Sequence, residues 1–140
     1  MMSNATTMKN RAAGPFDVKL QALDVYNKDA GGNLARMSID KQFHGDLEAL
    51  SKGEMLSAMG SVKGSAGYVA IERVTGTLHG RSGSFVLQHN ATMTRGQPFL
   101  NVIVVPDSAS GELAGLAGTM NIIIADGKHS YEFDYTLGDG

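Results

Sequence analysis

The chain contains no cysteine. Disulfides, thiolate nucleophiles and zinc–thiolate sites are thereby excluded. The absence fits a reducing compartment, so a cytoplasmic protein is the expectation. Basic residues are not in excess either: 12 Lys and Arg stand against 14 Asp and Glu, with a formal net charge of −2. Nothing in that balance points to nucleic acid or to an anionic membrane surface. No stretch approaches the roughly 18 apolar residues of a membrane helix. The leading MMSNATTMKNRAAG is polar, with no apolar run of the kind a signal peptide or anchor needs.

Chemical motifs are equally sparse. His44, His79, His89 and His129 show neither H-x-H nor H-x-x-x-H spacing, so no metal is implied. His79 reads as a solvated turn residue. There is no nucleophile elbow. No glycine-rich phosphate loop opens a helix, and no cofactor is expected.

What the chain does have is glycine, 18 of 140 residues. Helix interiors disfavour it, whereas turns, bulges and bent strands use it. It also has alternation. Phe16, Val18, Leu20 and Ala22 interleave with Asp17, Lys19 and Gln21, and His129, Tyr131, Phe133, Tyr135 and Leu137 interleave with Ser130, Glu132, Asp134 and Thr136. Period two with one wet face means strands. Eight are predicted, at 15–25, 34–44, 52–59, 67–78, 83–94, 98–106 (with an extension to 113 open), 117–125 and 128–137. The one helix candidate lies near Asp46–Leu50. Connections such as Asn27 to Gly32, Gly64 to Gly67, Arg95 to Pro98 and Asp126-Gly127 are turns, too short for crossover helices. An all-β, closed, eight-stranded antiparallel up-and-down barrel follows, because closure removes the edges of such a sheet. Residues 1–13 are expected to form a flexible tail and 14–140 one barrel domain, a size that suits a single core.

An internal echo supports a meander. GTLHGRSGSFVL (Gly76 to Leu87) aligns with GELAGLAGTMNI (Gly111 to Ile122), and Leu78/Leu113 and Phe85/Met120 match along with the glycines. A looser copy starts at Gly45. The unit reads as a hairpin corner. With the first hairpin centred at Gly80-Arg81, Val74 faces Leu87 and Glu72 faces His89. These residues, with Tyr68, Ala70, Leu78 and Met93, occupy the drier face and should point inward. Arg73, Thr75, Thr77, Ser84, Gln88 and Asn90 occupy the wet one. Lys41 stands at the repeat position of Glu72 and on the apolar face of Met37, Ile39 and Phe43.

A lysine, a glutamate and a histidine are therefore expected inside. Buried charges require partners, and two readings stay open. Lys41, Glu72 and His89 form a satisfied structural cluster, or they serve a small-molecule pocket with Glu72 and His89 as the catalytic pair and Lys41, Tyr68, Phe85, Leu87, His129 and Tyr131 as ligand contacts. The eight methionines are core filler or line an adaptable apolar pocket.

FHGDLEALSKGEML, GYVAIERVTGTLHGRSGSFVLQH, GELAGLAG and DGKHSYEFDYTL, spread from Phe16 to Leu137, closely resemble a bacterial domain-of-unknown-function family, number 3224. Ala49, Ala91 and Asp107 depart from the glycines of its pattern. That family in turn resembles the allene oxide cyclase-like barrels, which share the glycine corner read here as VTGTLHGRSG (Val74 to Gly83). The resemblance implies an eight-stranded meander barrel with a central cavity, in members that often oligomerise. It transfers no catalytic residue. Three functions are carried forward. One is a barrel binding a small apolar molecule, with cyclase or isomerase chemistry. The others are a non-catalytic carrier or sensor, and a filled structural module for which exposed surfaces matter, such as the edge of Leu100–Val105, an apolar run either buried on both faces or forming an oligomer contact. No nucleic-acid or membrane partner is expected, and a homo-oligomer is.

Overall fold

The computed structural model describes residues 9–28 and 32–138. It contains β1 (Lys9–Leu23), β2 (Leu34–Phe43), β3 (Leu47–Met59), β4 (Ala66–Leu78), β5 (Arg81–Thr94), β6 (Gln97–Val104), β7 (Ser110–Gly111), β8 (Leu116–Ala125) and β9 (Lys128–Leu137). β1 to β6 pair antiparallel in chain order, β6 pairs with β8, β8 with β9, and β9 returns to β1. Eight strands thus close the expected meander barrel, and the two-residue β7 adds an outer rung on β5. No helix is present among the described residues, and none is long and apolar enough to cross a membrane.

Tight turns set this topology. His79-Gly80, Arg95-Gly96 and Asp126-Gly127 all hold left-handed φ at both residues, between 47° and 89°. Two such residues make the hairpin turn whose twist matches that of the flanking strands. The β4–β5 turn is therefore centred at His79-Gly80 and not at Gly80-Arg81. Val74 pairs with Phe85, Glu72 with Leu87 and Ala70 with His89. The expected pairing was displaced by two residues, which leaves every side chain on its predicted face.

Other boundaries move too. β1 begins at Lys9, because Lys9–Ala13 pair with β9 and bury Ala12 completely. The expected tail is thus strand from Lys9 onward, and its residues 1–8 lie outside the described residues, as do residues 29–31 of the β1–β2 connection. The helix expected at Asp46–Leu50 is the start of β3: Leu47, Ala49 and Ser51 are buried while Glu48, Leu50 and Lys52 are exposed, the two-residue period of a strand. β6 ends at Val104, and the chain turns through Asp107, whose φ of 61° explains why a glycine fits that position. Leu100–Val105 is covered only in part: β6 meets β8 at Ile103 alone, and Leu100 stays exposed. Val102 and Val104 are core, and Ile103 and Val105 are half-buried.

The echo holds for two copies. Leu78 and Leu113 are buried, as are Phe85 and Met120, and Gly80 and Gly115 share left-handed φ. The copy at Gly45 differs, since its turn precedes Leu47 rather than following it.

The barrel has two unlike ends. Where β3, β5 and β8 begin, Phe43, Leu47, Leu78, Phe85, Leu113, Leu116 and Phe133 pack into a solid plug. Phe85 stacks on Phe133 at 5.7 Å. Full burial of each large side chain stabilises by about 1.5–3 kcal/mol. Tyr131 pins this end: its hydroxyl accepts from the Leu47 amide and donates to the His44 carbonyl, both at 2.8 Å. At the opposite end, where β3 and β5 finish, the interior is open.

Candidate functional site

Between plug and open end lies a buried polar cluster. Glu72 on β4 is fully buried. One carboxylate oxygen accepts from Ser51 on β3 at 2.5 Å. The other accepts from Lys41 on β2 at 2.9 Å and meets His89 Nε2 on β5 at 2.5 Å. Four adjacent strands each supply one side chain because each position carries the inward parity of its strand. Gly53 pairs with Glu72 and lets the two backbones close in. A Cβ there would fall 2.1 Å from the Ile71 carbonyl oxygen and 2.6 Å from Glu72 Cα.

The cluster is internally compensated. The Lys41 ammonium also sits 5.1 Å and 5.6 Å from the Phe16 and Phe43 ring centres, within reach of a cation–π attraction. Burial by itself would raise the Glu72 carboxyl. The His89 hydrogen bond, the Lys41 charge and the Ser51 hydrogen bond outweigh it and hold the group down to about 2. Glu72 is therefore an ionised, fully bonded acceptor, poorly suited to take a proton near neutral pH. No buried side-chain polar atom lacks a partner among the described residues.

His89 Nδ1 faces the other way, 3.4 Å from the Tyr68 hydroxyl. Above Tyr68 the open end holds a cavity of about 370 Å³, walled by Met55, Met93, Leu100, Ile122 and Ile124 among others. Its volume falls at the lower end of small-ligand sites. β6 and β8 share a single paired position, Ile103 with Thr119, so the wall parts towards the mouth, where both strands line the cavity. Phe99, Met93, Met59 and Ile124 expose apolar surface at this rim.

The predicted site residues separate accordingly. Lys41, Glu72 and His89 come together in the cluster, and Tyr68 alone of the predicted set lines the cavity. Phe85, Leu87 and Tyr131 belong to the packed core rather than to the cavity wall. His129 is half-buried against Phe16, ring centres 5.3 Å apart. His79 is in its expected turn, but its ring also bonds the Tyr135 hydroxyl. Ser51 was missed. Its inward parity is legible once β3 is extended to Leu47, and it pairs directly with Lys41. No three His, Asp or Glu side chains among the described residues are grouped to hold a metal ion.

The family model described as "Protein of unknown function (DUF3224)" matches residues 12–135. The chain belongs to the DUF3224 family. A crystal structure of a DUF3224 protein of unknown function from Shewanella oneidensis MR-1 is 56% identical, covers 95% of this chain and 100% of its own, and superposes with a TM-score of 0.91. No curated protein matches the chain.

Proposed function

We propose that this DUF3224 barrel binds one small apolar molecule in its open end, with Tyr68 as the polar contact at the floor. An apolar cavity of about 370 Å³ ends on Tyr68, whose hydroxyl is backed by His89 and Glu72, and this supports the reading. A filled module has no use for such a space or for the exposed apolar rim around it. Binding without chemistry is the favoured form, because Glu72 is saturated by Ser51, Lys41 and His89. Proton-transfer chemistry of the isomerase kind is the second reading. The chain from Tyr68 through His89 favours it, with His89 and not Glu72 as the proton carrier.

The test is titration with N-phenylnaphthylamine, an uncharged fluorophore that brightens in apolar sites. The parent should bind it at one site. Leu100→Asp, at a rim position 36% exposed, should abolish binding while leaving the denaturation midpoint unchanged. No binding by the parent, or equal binding by the variant, would refute the assignment.

A further inference from the structure

The hydrogen-bond chain below the cavity has a direction, and the direction selects a ligand. It starts at Glu72, which as a carboxylate can only accept. His89 Nε2 must therefore carry the proton that points at Glu72. Lys41 already balances Glu72, so a neutral His89 leaves the buried cluster without net charge, while an imidazolium would leave an uncompensated cation. In that neutral tautomer Nδ1 is an acceptor. Tyr68 then donates its only hydroxyl proton to His89. What Tyr68 presents to the cavity is oxygen lone pairs.

We propose, resting on the binding reading above, that the cavity takes an apolar alcohol or phenol whose hydroxyl donates to the Tyr68 oxygen, and that it rejects carboxylates of the same size. The lining agrees with this. No Lys, Arg or His stands among the residues that wall the cavity, and the nearby buried cation, Lys41, is engaged by Glu72 at 2.9 Å. A carboxylate head would lose its water with no positive partner. Tyr68 itself reports the local field: burial first, and then the Glu72 charge, raise its phenol above the ordinary value. A ligand anion at the same point meets the same two penalties.

Competition against N-phenylnaphthylamine at neutral pH tests this with three probes of one chain length: octanol, octyl methyl ether and octanoate. The ether keeps the oxygen but has no proton to donate. Octanol should bind about tenfold more tightly than the ether, the worth of one hydrogen bond, and octanoate should bind more weakly still. Tyr68→Phe should bring octanol down to the ether's affinity and leave the ether unmoved, which a merely structural loss would not do. Octanoate binding as tightly as octanol, or ether and octanol binding equally, overturns the inference while the fluorophore still binds. If the fluorophore also fails to bind, the binding reading itself falls, and this inference with it.

Discussion

Glu72→Gln is the most informative single substitution. The amide keeps the shape of the carboxylate and can still accept from Ser51, but it removes the one anion facing Lys41. The ammonium would stay behind at 7% exposure beside the Phe16 and Phe43 rings, with no anion to meet it. Breaking one side of a buried pair costs about 3–5 kcal/mol. A second route reaches a similar figure: a carboxyl held at about 2 against an ordinary 4.5 corresponds to a stabilisation on the order of 3 kcal/mol. With a urea slope of about 2 kcal/mol/M for a domain of this size, the midpoint should fall by about 1.5 M.

The pH dependence has a definite sign. A carboxyl whose value is depressed on folding contributes its full stabilisation above the unfolded value, here 4.5, and loses it as pH falls towards about 2. The gap between parent and Glu72→Gln should accordingly be widest near neutral pH and close in acid. Urea melts at a series of pH values measure it. A loss under about 1 kcal/mol at neutral pH, or a gap that stays constant into acid, would show that the Lys41–Glu72 pair is not the stabilising element described.

Two further substitutions probe the frame. Gly53→Ala should destabilise by at least 1–3 kcal/mol in chemical denaturation, because its Cβ would overlap the Ile71 carbonyl and the Glu72 backbone. Tyr131→Phe should cost about 1–3 kcal/mol by leaving the buried Leu47 amide without its acceptor, yet leave fluorophore binding unchanged because Tyr131 lies outside the cavity wall.

Parity along strands is the part of the fold most legible in the sequence. It puts Lys41, Glu72 and His89 inside even with the hairpin centred one residue late, since a displacement of two residues in pairing preserves faces and only an odd one reverses them. The turn itself was harder to read. Few non-glycine residues take left-handed φ, even though histidine does so more readily than most, and nothing local to His79 announces that Tyr135, 56 residues away, holds its ring. Depth within the barrel was not legible at all. Phe85 and Tyr68 share an inward face, but Phe85 falls in the plug and Tyr68 at the cavity, and that depends on the stagger of all eight strands. The expected first strand starts at residue 15 rather than at Lys9 because Lys9 to Ala13 show little apolar alternation. Those residues are held by pairing to β9 and by Arg11, whose guanidinium meets the Asp134 carboxylate at 2.7 and 3.0 Å.

Four buried polar side chains raise the question of why a barrel this small keeps them. As stabilisers they are replaceable. Exchanging a buried ion cluster for apolar residues of similar volume is often neutral or stabilising by about 1–4 kcal/mol. A variant combining Lys41→Met, Ser51→Ala, Glu72→Leu and His89→Phe should therefore fold, with a urea midpoint at or above that of the parent. What it cannot keep is the orientation of the Tyr68 hydroxyl, which would lose its acceptor and be free to turn towards the cavity. Tyr68 could then donate to a ligand oxygen as readily as accept from a ligand proton, and the preference for octanol over its methyl ether should vanish while both still bind. A stable variant that retained the preference would show that the cluster does not orient Tyr68. One that failed to fold while Glu72→Gln folded well would make the cluster a structural requirement of the barrel instead.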